Sequence, residues 1–252
     1  MSKVPNLVHK PTEPIVKSTS TLLGFKLRGT APLIMNRFSD KAVEQMLAKH
    51  MGRDTARTKK VPRDVIEQAT QYNVAGAVAM PSTAFKQAML TGASALKSFA
   101  KNKVPLRVGM FVKGASVPIV SSEMIPRMDI VRLSGIARDP DVRFRPMFPD
   151  WSARIVILFD ESVMARDTII DLVDRAGRVG IGEWRPETNG DHGTFEIEAL
   201  LPKEEIPEVL AICAPIIRPV RIPEWALDAE IDLEDVQKIL TADKQAAGKG
   251  EV

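Results

Sequence analysis

The sequence predicts an α+β domain with long insertions, and three observations carry that reading. SARIVILF (152–159) is an uninterrupted apolar run suited to a buried central strand. The stretch after it has helical periodicity to about residue 177, with Ile169, Ile170, Leu172, Val173 and Ala176 on one side and Asp167 placed to cap its start. Two further stretches alternate with period two. STLLGFKLRGT (20–30) sets Leu23, Phe25 and Leu27 against Gly24, Lys26 and Arg28, and TFEIEAL (194–200) sets Phe195, Ile197 and Ala199 against its polar positions.

The remaining elements follow in order. Residues 1–17, with Pro5, Pro11 and Pro14, read as an N-terminal arm. A helix is predicted over 40–51, capped by Ser39, with Asp40 in its first turn and Gly52 past its end. RDTARTKKVPR (53–63) has five basic residues against one acid and no apolar period, so it reads as a protruding basic loop. A short helix over 64–71 and a short strand over 75–80 come next. Ser82 caps a helix over 83–98 whose apolar stripe is Phe85, Met89, Ala93 and Leu96. Its basic end, Lys97, Lys101 and Lys103, suits a helix C-terminus and equally suits phosphate. Strands are predicted over 107–113 and 128–134, and DVRFRPMFPDW (141–151) as an extended, proline-broken segment. The division is therefore an arm (1–17), a body (18–200) with insertions near 52–64 and 114–150, and a proline-punctuated extension (201–252) with a helix near 232–243. No repeat of fixed period is visible.

Composition narrows the classes of function. Hydrophobic residues make up 44% and charged residues 27% of 252, as in ordinary globular chains. No apolar run spans a membrane and the N-terminus has no signal core, so the expected compartment is the cytoplasm. A single cysteine, Cys213 in AICAPII, excludes an intrachain disulfide and reads as a buried thiol. Residues 201–252 carry six basic and eleven acidic side chains, a net of −5; the first 200 carry 29 and 21, a net of +8. A basic body with an acidic tail suits a polyanion partner, and also suits plain solubility.

RAGRVGIGEWRPETNGDHGTFEIE (175–198) holds five glycines between a predicted helix and a predicted strand. It is not a dinucleotide fingerprint: Arg185 stands where a third glycine belongs, and the loop leaves a helix instead of opening one. No GxxxxGK[ST] phosphate loop occurs. The histidines, His9, His50 and His192, are scattered and form no metal motif. His192, in the loop among arginines, is the better candidate general base, and Asp40 the candidate for metal-dependent cleavage. Cations and rings coincide more persuasively: Arg178 and Arg185 bracket the loop, Arg143 and Arg145 alternate with Phe144 and Phe148, Lys59, Lys60 and Arg63 sit in the basic loop, and Arg28 lies on the first strand. Binders of single strands combine such groups.

The loop "AGRVGIGEWRP" with its strand "GTFEIE", the first strand "GFKLRGTAPLIMN" and the helix "MPSTAFKQAMLTGA" resemble the RAMP superfamily, in particular phage-encoded proteins related to the backbone subunit of CRISPR effector complexes. The resemblance implies a modified RRM- or ferredoxin-like antiparallel sheet with helices on one face. It implies that Gly180, Gly182 and Arg185 hold a phosphate backbone, and that an extended hairpin, from 53–63 or 138–149, intrudes between bases. The base-stacking aromatic pair of ordinary RRM domains is not evident on the first strand.

The expectation is a non-catalytic protein that binds single-stranded RNA or DNA, RNA favoured, and assembles side by side as a homo-oligomer or filament, with other phage or CRISPR-like subunits as further candidate partners. Gly180, Gly182, Arg178, Arg185, Arg143, Arg145, Lys59, Lys60, Arg63 and Arg28 are the candidate contacts. No cofactor, metal or membrane is expected. The alternatives are a RAMP-type ribonuclease using His192 or Asp40, and a phage structural or regulatory protein that binds only protein.

Overall fold

The computed structural model describes residues 20–37, 40–51, 61–99, 101–132 and 140–215. The chain opens with β1 (Ser20–Gly29), a two-residue β2 (Leu33–Ile34), α1 (Asp40–His50) and α2 (Pro62–Ala69). Then come β3 (Ala79–Pro81), α3 (Ser82–Gly92), α4 (Val104–Gly109), β4 (Met110–Val112) and β5 (Ser116–Ser121). A hairpin follows, β6 (Ile125–Arg132) and β7 (Pro140–Phe148), and then β8 (Trp151–Asp160), α5 (Arg166–Val179), β9 (Phe195–Leu201) and α6 (Ile206–Ile212).

The main sheet has the order β3-β5-β8-β1-β9, with β4 also paired to β8. Every one of its pairings is antiparallel. β4 and β5 occupy successive stretches of the same edge of β8 and together act as one interrupted strand. Taken that way, β1, α3, β4/β5, β8, α5 and β9 trace the β-α-β-β-α-β path of a ferredoxin-like fold. The fold is thus α+β with antiparallel sheets, as the sequence predicts.

Alternation in β1 dictates where the core sits. Leu23, Phe25 and Leu27 lie opposite Ile157, Ile155 and Ala153 of β8 and pack in one cluster with Phe85 and Met89 of α3 and Ile169, Leu172, Val173 and Ala176 of α5. Each such fully buried side chain contributes roughly 1.5–3 kcal/mol. On the opposite face Val156 packs with Ile206, Val209 and Cys213 of the α6 segment, beside Leu22 and Leu201. That face also carries charge: Lys26 pairs with Glu198, Arg28 with Glu196, and Arg154 with Glu205.

Cys213 is buried as expected, and its thiol donates to the Val209 carbonyl at 3.1 Å. Burial raises its pKa above the usual thiol value. A thiol-specific chromogenic reagent is therefore expected to label the native protein far more slowly than the unfolded chain; equal rates would show that the α6 packing is wrong.

Some boundaries differ from those predicted. α5 begins at Arg166 with Ala165 at its N-cap and no side-chain cap, so Asp167 sits inside the first turn, where it favours the helix dipole instead of capping. Pro81, not Ser82, is the N-cap of α3; the Ser82 hydroxyl donates to the Ala115 carbonyl. α3 ends at Gly92 and continues only as a 3-10 turn, Ala93–Ala95. Residues 104–109 are helical although 107–113 reads as strand: Pro105 suits a first turn, and only Met110–Val112 pair with β8.

A second sheet, β2-β7-β6, joins β2 to a long hairpin inserted between β5 and β8, which pairs from Ile125↔Met147 to Arg132↔Pro140. α2 packs on β7. Main-chain proline is accommodated where Pro126 faces Pro146. The predicted cap Ser39, residues 53–60 of the predicted basic loop 53–63, the arm 1–17 and the helix near 232–243 lie outside the described residues; Pro62 and Arg63 are helical, in the first turn of α2.

Candidate nucleic-acid interface

The glycine loop is a seam between the two sheets. Leaving α5, Gly180 donates its N–H to the Ala176 carbonyl, and Ile181 donates to Gly193. Glu183 N–H donates to Ile34 and Gly193 N–H to Pro32, while Thr30 N–H donates to Thr194. The loop is thereby tied along the whole β1–β2 connection. Gly182 shows why small residues are needed: at φ +79° a Cβ there would come within 2.5 Å of the Ile34 carbonyl oxygen. Close backbone packing accounts for much of the glycine richness without any ligand. Of the two glycines expected to offer N–H groups to phosphate, Gly180 has its own committed to capping α5. Gly182 N–H has no partner among the described residues.

The loop's Trp184 is held in the left-handed region at φ 52°, a conformation costing a non-glycine residue about 1–2 kcal/mol. Its ring lies beneath two guanidiniums, with Arg127 Cζ 5.0 Å and Arg145 Cζ 5.6 Å from the ring centre. Both arginines come from the hairpin, and one buried carboxylate serves them. Arg127 Nε donates to Asp129 Oδ1 at 2.8 Å, and Arg145 Nη1 donates to Asp129 Oδ2 at 3.1 Å. Arg127 Nη1 is also 3.1 Å from His192 Nε2, and the imidazole meets the Trp184 ring edge-on. Hairpin and glycine loop are therefore joined by Arg127, Asp129, Arg145, Trp184 and His192.

This arrangement revises several expected roles. Arg145, expected at the surface, is 1% exposed and its charge is paired with Asp129 inside the protein. His192 presents Nε2 to Arg127, while Nδ1 is 2.8 Å from Asp191 Oδ1 at an angle that makes no hydrogen bond. The ring thereby joins the hairpin to the loop. Arg185 donates Nε to Glu187 and Nη1 to the Gly182 carbonyl, bracing the loop. Arg28 pairs with Glu196 on the sheet's charged face. Arg178 keeps 80% of its side chain exposed beside Asp174, and Arg143 keeps 41% exposed 3.6 Å from Asp141. Arg63 is exposed at the start of α2. Asp40 begins α1; Lys59 and Lys60 lie outside the described residues. Among the described residues no three His, Cys, Asp or Glu side chains cluster to hold a metal.

The hairpin has a second character on its other face. Met128 pairs with Phe144 and Ile130 with Val142, and Met128 and Ile130 are 61% and 73% exposed. That apolar face is unlike the charged one only one residue out of phase with it.

Behind the loop lies a cleft of about 220 Å³. Met35, Met80, Ala84 and Ala88 form its apolar lining, and Gln71, Gly182, Glu183, Arg185 and Glu187 contribute its polar groups. Thr91 also donates to Glu187, and the Arg185 hydrogen bond holds the Glu187 carboxyl below the usual range. The charge of Lys103, whose ammonium donates to the Ser94 hydroxyl, lowers it slightly further.

Sequence reasoning overlooked Arg127, Asp129 and Gln71. For the two hairpin residues the available signal was the alternation that sets Arg127 and Asp129 against Met128 and Ile130 in one strand and Arg143 and Arg145 against Phe144 in the other.

No family model matches the chain, and no curated protein matches it. Among solved structures, it is similar to a chain of the type III-B Cmr-β complex bound to cognate target RNA, with TM-score 0.49 and 10% identity over 72% of this chain and 60% of that one. It is also similar to Cmr6 from Pyrococcus furiosus, with TM-score 0.37 and 11% identity over 71% of this chain and 99% of that one. The chain spans 60% of the first of these. No helix among the described residues is long and apolar enough to cross a membrane.

Proposed function

We propose that this protein binds the sugar–phosphate backbone of single-stranded nucleic acid, RNA in preference to DNA, without cleaving it, and that copies assemble side by side along the strand. The observation that carries this reading is the place of the glycine loop. It joins the second helix to the last strand of a ferredoxin-like core and is locked to an inserted hairpin, the arrangement that the resemblance of AGRVGIGEWRP to the RAMP superfamily implies. Arg178 and Arg143 supply accessible charge, the Gly182 N–H, without a partner among the described residues, supplies a donor, and the hairpin's exposed Met128 and Ile130 supply an apolar surface for bases or for the neighbouring copy.

Each lost phosphate contact lowers the slope of log affinity against log salt by about 0.7 for a single strand. Arg178→Ala and Arg143→Ala are each expected to reduce the slope by that amount, read by fluorescence anisotropy on labelled RNA across a salt series, with particle size followed by light scattering. A wild-type affinity indifferent to salt, or particles that never exceed one copy per strand, would refute the backbone-binding and the side-by-side parts respectively.

A further inference from the structure

The cleft behind the glycine loop is poorly suited to phosphate. Two carboxylates, Glu183 and Glu187, line it against one cation, and that cation, Arg185, is already bound to Glu187 and to the Gly182 carbonyl. Beside these carboxylates the polar lining holds the Asn36, Gln71 and Gln87 carboxamides and the Gly182 backbone, so its net charge is not positive and acceptors are plentiful. Gln71 Oε1 is completely buried with no hydrogen-bond partner, and the Glu183 carboxylate receives only a long 3.4 Å contact from Asn36. Met35 and Met80, both buried, give flat apolar contact. At about 220 Å³, the cleft falls below the roughly 300–1,000 Å³ of drug-sized sites and suits a single ring system.

A neutral ring with apolar faces and a hydrogen-bonding edge satisfies all of these features at once. We propose that the cleft receives one nucleobase of the bound strand, and that it selects a base carrying an exocyclic amine, which donates to Glu183 and, once the Gln71 carboxamide turns toward it, to Gln71 Oε1. Carboxamides and carboxylates read amino groups on adenine and cytosine in this way. Uracil fits worse, because its edge carries two carbonyl acceptors that would face the Glu183 and Glu187 carboxylates. The inference rests on the single-strand reading above and adds base preference to a surface otherwise read as indifferent to sequence.

The test compares the full chain's affinity for oligo-A, oligo-C and oligo-U RNA at fixed salt, with Gln71→Leu and Glu183→Gln as variants and circular dichroism to verify folding. The wild type is expected to favour oligo-A and oligo-C over oligo-U by about tenfold, the scale of one base-edge discrimination. Either folded variant is expected to lose most of that preference while keeping the salt slope. Equal affinity for all three strands, or a preference unchanged in both variants, overturns the cleft assignment and leaves backbone binding standing. Absence of salt-dependent binding to every strand overturns backbone binding, and this inference falls with it.

Discussion

Replacing Asp129 by alanine is expected to destabilise the protein by about 3–5 kcal/mol, the usual consequence of leaving a buried charge without its partner. Arg145 is 1% exposed and has the Asp129 carboxylate as its ionic partner, and Arg127 loses its Nε acceptor in the same step. At about 2–4 °C per kcal/mol for a domain of this size, the melting temperature should fall by roughly 6–20 °C. Arg143→Ala, which disturbs an exposed 3.6 Å pair with Asp141, is the matched control and should cost no more than about 1 kcal/mol. Replacing Asp129 and Arg145 together by apolar residues of similar volume should recover part of the loss, because neither charge then remains stranded. Equilibrium denaturation decides: an Asp129→Ala loss as small as that of Arg143→Ala would mean that the buried carboxylate does not hold the hairpin to the loop.

Gly193→Ala is the second large effect. A Cβ at that position would lie 1.8 Å from the Ile181 carbonyl oxygen, with φ at +68°. That oxygen belongs to backbone, so relief requires moving the strand of loop that also carries the Ile181-to-Gly193 and Gly193-to-Pro32 hydrogen bonds. Gly76 separates the two causes: its φ is +80°, but nothing lies within 4 Å of the added methyl. Gly76→Ala should therefore cost only the left-handed backbone penalty, about 1–2 kcal/mol. Gly193→Ala should exceed it by the cost of displacing the seam, for a total of about 3 kcal/mol or more. Similar losses in the two variants, measured by urea unfolding, would show that conformational freedom and not close approach makes Gly193 necessary.

What could be read from the sequence was whatever local periodicity encodes. β1, β8, α5 and β9 all appear as predicted because each has one face that must be buried, and burial writes itself into the spacing of Leu, Ile, Phe and Val. Cys213 was legible for the same reason. The hairpin was only half legible: RFRPMF reads as extended, but its pairing with RMDIVR is a long-range event that no window of residues reports. For that reason Arg145 looked like a contact for a polyanion, although Asp129, sixteen positions away, already holds its charge. The glycine spacing marks a close backbone approach, but a window of residues does not report what lies on the other side of it. Spacing shows that backbone comes close to something at Gly182 but not that the neighbour is Ile34.

The position of β1 in the middle of the main sheet bears on how the chain is made. It is the first described strand, but its hydrogen-bonding neighbours are β8 and β9, and Lys26 finds Glu198 across 172 residues. At about 5–20 residues per second of synthesis, β1 emerges on the order of ten seconds or more before its last partner exists. Throughout that interval an apolar strand with both edges open waits on the ribosome, a period of exposure to misassociation that favours shielding by a chaperone. Closure of the sheet is consequently a late and highly non-local event, of the kind that makes refolding slow.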